Sequence, residues 1–276
     1  IKDPKSGKSL FEAKRAHELD DAKTDEDRKK IESRKDEPLG ALGSGSDYTA
    51  FLDYLTIASL NLGFGGDDGG GVYHSVYDSF YWYTHFSDGD FTYGATLSKT
   101  VGTAIMRLAS ADILPFEFTA TARTLKGYVD EIDKARAKMK GAEAVDLTPV
   151  RDAIGHLQRA AAEYDSRRKT QKNTDMALDP AKLAELNKLL YTSERAFRYD
   201  KGLPKREWFK HLAYAPGFYT GYGVKTLPGI REGIEQKEWD EARRYVPIVA
   251  SAIEALAKQV QQAADLLPSP SSGQKP

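Results

Sequence analysis

Apolar stripes at helical spacing fill the second half of this chain and constrain its fold more than any other feature. Val246, Val249, Ile253, Leu256 and Val260 recur at intervals of three or four residues, as do Val150, Ile154, Leu157, Ala161 and Tyr164. At 3.6 residues per turn, each set lines one face of a helix, and such a face must be buried against another. Leu125, Val129 and Ile132 supply a third face, and Leu183, Leu186, Leu190 and Phe197 a fourth. Four stripes close a helical bundle, so everything after Pro115 reads as all-α.

The residues before Pro115 have a different texture. Lys8 to Glu37 is dense in Lys, Arg, Asp and Glu and reads as an exposed helix or solvated loop. From Leu39 to Ser87 glycine and aromatic residues dominate; Asp47 is placed to cap a short helix through Leu55, and Ile57 to Leu62 reads as a buried strand. A helix over about Asp90 to Ser110 puts Leu97, Val101, Ala104, Ile105 and Leu108 on one face, and Leu114-Pro115 closes it. The expected organisation is an α/β part over 1–113 with a charged leader at 8–37, then an all-α bundle over 114–267. A disordered tail is expected at 268–276, where Pro268, Pro270 and serines gather.

Composition removes several classes of function. Forty basic against forty-one acidic residues give a net charge of -1, so nothing electrostatic favours nucleic acid or an anionic membrane. No apolar run approaches the roughly 20 residues that cross a bilayer, so no transmembrane segment is expected in this chain. With no cysteine there are no disulfides or thiol nucleophiles, and any metal must be held by imidazole and carboxylate. Ile1-Lys2-Asp3-Pro4 resembles neither a signal peptide nor a natural start, so the chain reads as beginning in mid-protein.

The candidate chemistry centres on Tyr73-His74-Ser75-Val76-Tyr77-Asp78, which follows the glycine-rich run Gly65 to Gly71. A histidine on a loop can aim a ring nitrogen into a cleft, where metal-dependent hydrolases often place a ligand. The glycine run lacks the lysine of a phosphate loop and the spacing of a calcium loop, and reads as a flexible rim of that cleft. Further blocks are Leu42-Gly43-Ser44-Gly45-Ser46-Asp47 upstream and Glu194-Arg195-Ala196-Phe197, Gly202-Leu203-Pro204, His211 with Tyr214-Ala215-Pro216, and Leu227-Pro228-Gly229-Ile230 downstream.

Together these blocks resemble the C-terminal half of the zinc peptidases related to glutamate carboxypeptidase II, including the helical domain shared with the transferrin receptor. The resemblance implies a co-catalytic pair of zinc ions, with His74 as the last metal ligand and the other ligands and the base upstream of Ile1. It implies that Tyr73 stabilises the tetrahedral oxyanion, and that Ser44, Gly45, Ser46, Asn61 and Tyr222 lie at the substrate. Where well-known relatives hold an acidic side chain with an asparagine and two arginines, this chain has Ser46, Asn61 and Gly63; a lysine beside the tyrosine is replaced by Gly221, with Lys225 nearby. Without the guanidinium clamp, a neutral or broad peptide preference is expected. His17, His85, His156 and His211 match no metal motif and are expected to be surface or core residues.

The resemblance also implies a homodimer through the helical domain, a partnership with the missing N-terminal half of the peptidase domain, and an extracellular or periplasmic location. The fragment alone is expected to be inactive, because one imidazole does not retain zinc. The competing reading is a non-catalytic receptor or interaction protein of the transferrin-receptor type, for which His74 and Tyr73 would have no use.

Overall fold

Local capping determines where the charged leader becomes helical. In the computed structural model, which describes residues 1–34, 36–65, 71–174 and 178–269, helix α1 spans Leu10–Asp21. Ser9 and Glu12 close a reciprocal capping box at its start, each side chain accepting from the other residue's backbone N–H. Helix α2, Asp25–Ser33, starts at Thr24 and carries Asp25, Glu26 and Asp27 in its first turn, where carboxylates complement the positive end of the helix. Neither helix buries a residue, as the charge-rich composition predicts.

Helices α3, Phe80–Phe86, and α4, Thr92–Ala109, follow. The latter is the helix expected over 90–110, but its apolar face is uncovered: Ile105 and Leu108 are exposed, with Leu97, Val101 and Ala104 half-buried. Ile1–Gly40 and Asn61–Ser110 form one compact unit. Among its described residues no apolar side chain is buried and no named strand occurs.

The strand expected within the α/β part is not formed. Ile57 to Leu62 is irregular rather than a strand, because no neighbouring strand among the described residues offers N–H and C=O groups to pair with. The short helix expected before it is a single π-helical turn at Ala50–Tyr54, preceded by Thr49; Asp47 does not cap it. Residues 41–60, which the division at 113 assigns to the first part, cluster instead with residue 111 onward. Most of the expected glycine rim, residues 66–70, and the tail from Pro270 lie outside the described residues.

The second unit holds the core. Its helices are α5 Phe118–Arg136, α6 Thr148–Thr174, α7 Pro180–Tyr191, α8 Pro228–Glu235 and α9 Trp239–Asp265. Helix α9 is the spine, packing against α6, α8 and α7, while α5 lies on α6. The predicted stripes are the buried ones: Val150, Leu157, Ala161, Tyr164, Val249 and Ile253 are fully enclosed, and Leu125, Val129 and Ile132 nearly so. Each such aliphatic side chain contributes roughly 1.5–3 kcal/mol on leaving water.

The helical expectation after Pro115 holds for most of the second unit, with one exception. Between Arg198 and Leu227 the chain is largely irregular and contains an antiparallel hairpin, β1 Tyr214–Pro216 with β2 Val224–Thr226, in the register Tyr214↔Thr226, Ala215↔Lys225 and Pro216↔Val224. Helix α8 then begins with Leu227 in the left-handed region and Pro228 in its first turn. It lies so close to α9 that a Cβ on Gly229 would stand 2.3 Å from the Tyr245 ring.

Candidate functional site

Short turns hold Tyr73-His74 in place: the Ser75 N–H donates to Val72 O at 3.0 Å, and the Ser75 hydroxyl accepts from Tyr77 N at 3.2 Å. His74 takes a left-handed conformation, φ 60°, which histidine tolerates better than most residues. Its ring stacks on Tyr73 with centroids 3.8 Å apart, and both side chains are exposed. Among the described residues the imidazole nitrogens make no hydrogen bond or ion pair. One free donor is therefore available, but no group of three or more His, Cys, Asp or Glu able to hold a metal occurs among the described residues. A zinc centre needs three or four protein ligands, so the residues present do not amount to one.

In the second unit Ser44 and Gly45 meet Tyr222. The Ser44 N–H donates to Tyr222 O at 3.2 Å. A Cβ on Gly43 would stand 2.1 Å from that carbonyl oxygen, and one on Gly45, itself at φ +95°, would stand 2.9 Å from the Tyr222 ring. The Gly-Ser-Gly motif thus leaves room for the loop between β1 and β2. Ser46 is exposed and its carbonyl accepts from Thr49. Asn61 and Gly63 are exposed in the first unit, with open space where a Gly63 Cβ would be. Gly221 is exposed at φ +59°, and Lys225 is tied to Glu235 at 2.6 Å.

The other histidines have structural or surface roles. His211 is fully buried: Nδ1 accepts from the Ala213 and Tyr214 amides at 3.1 and 3.2 Å, Nε2 lies 2.9 Å from Glu194 Oε1, and the ring stacks between Phe197 and Tyr214. With Nδ1 accepting from two amides, Nε2 is the nitrogen that donates to Glu194. His85 bonds the Tyr81 carbonyl, and His17 and His156 pair with Asp21 and Glu254 on the surface.

One buried polar group carries no signal in the sequence. Asp53 is fully enclosed, its backbone carbonyl accepting from the Lys210 and His211 amides, yet neither carboxylate oxygen has a hydrogen-bond partner among the described residues. Burial pushes its pKa up from 3.8 to about 7, against the pull of the Arg206 guanidinium. Arg206 itself is paired with Glu232 and donates to the Pro216 carbonyl. Nothing in the pattern around Phe51-Leu52-Asp53-Tyr54 distinguishes Asp53 from a solvated turn carboxylate; the partner elements lie more than a hundred residues downstream.

With this geometry in place, comparison with known proteins defines the class. Residues 145–261 match the transferrin receptor-like dimerisation domain family, which covers α6, α7, the hairpin, α8 and α9 up to Gln261. That segment is thus similar to the domain, and over most of its length the chain is similar to glutamate carboxypeptidase-like peptidases. A probable glutamate carboxypeptidase of Arthroderma benhamiae is 34% identical over 78% of this chain and 29% of its own length. Aminopeptidase NAALADL1 of Mus musculus is 27% identical over 83% of this chain and 32% of its own. A protein of Schizosaccharomyces pombe named an inactive zinc metalloprotease is 25% identical over 78% of this chain and 28% of its own. The chain thus spans about 30% of the length of the relatives it matches.

Proposed function

We propose that this chain is the C-terminal portion of a co-catalytic dinuclear zinc exopeptidase, supplying one metal ligand, an oxyanion donor, part of the substrate subsites and the domain through which the protein dimerises. The observation that carries the reading is His74: an exposed imidazole with both ring nitrogens uncommitted among the described residues, beside Tyr73, in a chain similar to carboxypeptidases and aminopeptidases over most of its length. Zinc, when bound, would acidify a water and polarise the scissile carbonyl. His74 would donate one nitrogen to it, and the remaining ligands and the base would come from polypeptide outside this sequence. Tyr73 would aim its hydroxyl at the developing oxyanion. Ser44, Gly45, Ser46, Asn61 and Tyr222 would contact the peptide. A location outside the cytoplasm, extracellular or periplasmic, belongs to the same reading.

The exposed face of α4 and the aromatic residues before it support the proposal, since the rest of a peptidase domain would cover them. A non-catalytic role is the second reading, favoured by one observation: a relative of similar coverage carries the name of an inactive zinc metalloprotease. The two readings separate in the full-length protein that contains this sequence. Purified, it should hydrolyse peptides, with acidic and neutral dipeptides differing by less than about a hundredfold, because a lone tyrosine lacks the bidentate grip of guanidinium on carboxylate. His74→Ala should lower kcat/KM by more than about a hundredfold, beyond what outer-shell partners of a metal contribute. It should also lower the zinc content measured by mass spectrometry. Wild-type activity and zinc in His74→Ala would overturn the assignment, and a wild-type protein without peptidase activity would favour the second reading.

A further inference from the structure

The loop 217–223, which presents Tyr222, is anchored at both its base and its tip by groups that touch no solvent-facing subsite. At the base, Glu232 on α8 uses both carboxylate oxygens: Oε1 accepts from the Phe218 N–H at 2.6 Å, and Oε2 takes the Arg206 guanidinium. The other end of that guanidinium donates to the Pro216 carbonyl, the last residue of β1. Arg206 also lies over the Phe218 ring, 5.5 Å from its centroid. Both charges are nearly enclosed, so the bonds act with little competition from water. At the tip, the Tyr222 carbonyl accepts from Ser44 and its ring rests on Gly45, where a side chain would collide. Across the ends of the loop, Gly217 N donates to Gly223 O at 2.8 Å and Thr220 Oγ1 donates to the same oxygen at 2.7 Å, closing the loop on itself.

We propose that Arg206 and Glu232 are positioning residues for Tyr222, fixing the loop that offers its hydroxyl to the peptide, and that Gly43 and Gly45 form the seat on which this loop rests. The inference rests on Tyr222 facing peptide in the proposed exopeptidase. Its physical basis is preorganisation: a ring on a surface loop contributes to affinity only if the loop is already ordered before substrate arrives. Glu232 touches the loop's backbone and Arg206 the Phe218 ring, and neither is bonded to the Tyr222 ring, so their loss should loosen the tyrosine without removing it.

Two measurements on Glu232→Gln test this. Glutamine keeps the size but cannot satisfy the Phe218 amide and the guanidinium together. In this chain, amide hydrogen exchange at 217–223 and at Ser44 should speed up at least tenfold, while α9 amides keep their protection. In the full-length enzyme, KM for a dipeptide should rise at least fivefold with kcat changed less than twofold. Unchanged exchange in the loop overturns the clamp. Faster exchange with unchanged KM overturns its link to substrate. If Glu232→Gln does not melt cooperatively, Gly43→Ala, whose Cβ would stand 2.1 Å from Tyr222 O, makes the same test from the opposite end, with the same two outcomes. A wild-type enzyme that cleaves no peptide overturns the exopeptidase reading, whereas an active wild type whose variants keep their KM overturns this inference alone.

Discussion

A single carboxyl, Asp53, sets a pH dependence on the second unit. Its folded pKa of about 7 lies above the ordinary 3.8 because the enclosed carboxylate finds no donor, and Arg206, drawn to Glu232, compensates only in part. Between those values the folded chain holds a proton that the unfolded chain has released. The stability tied to neutral Asp53 is therefore complete below pH of about 4 and is lost as pH rises through about 7. Asp53→Asn cannot ionise and should lack this loss. Urea unfolding between pH 4 and 8 should show wild type weakening relative to the variant, which should be the more stable at pH 8 by on the order of 1–3 kcal/mol. Parallel pH profiles would mean that the carboxylate is ionised and partnered in the folded state.

Helix packing in this protein turns on glycine at two positions of opposite meaning. On α8, Gly229 faces the Tyr245 ring and leaves no room for a methyl group, whereas Gly127 on α5 is exposed, with nothing within 4 Å of where a Cβ would stand. Gly229→Ala should destabilise by about 1–3 kcal/mol through overpacking. Gly127→Ala should stabilise by about 0.5–1 kcal/mol, because alanine loses less backbone entropy in a helix. Thermal melts of the two variants check both signs, and two shifts in the same direction would refute the close α8–α9 contact. The same contrast shows what the sequence made legible. Stripes such as Val246 to Val260 announce α9 because a 3.6-residue period is written locally. The hairpin at 214–226 was not legible, since three-residue strands leave no alternation to read, and the short helix expected through Leu55 carried no sign of its π-helical form, which docks against residues 210–211. At the site, Tyr73-His74 and Gly-Ser-Gly stood out as motifs, but Asp53, Arg206 and Glu232 meet only through the fold.

At the scale of the whole molecule, the two units differ in what holds them. The second encloses a continuous apolar core around α9, while the first, among its described residues, encloses no apolar side chain and exposes Tyr73, Tyr77, Phe80, Tyr81, Phe86 and Phe91. A segment without a core opens locally at little cost, so its peptide bonds reach a protease far more often than those of a packed bundle. Chymotrypsin, which cuts after aromatic residues, should cleave the isolated chain within 73–91 at least tenfold faster than anywhere in 118–265. If the remaining polypeptide of the proposed peptidase covers that surface, the same bonds should be protected in the full-length protein, while cleavage of the second unit should be slow in both. Equal resistance of 73–91 in the two forms would show that the first unit is stable by itself, and the exposed aromatic face would then need another explanation than a missing half of the domain.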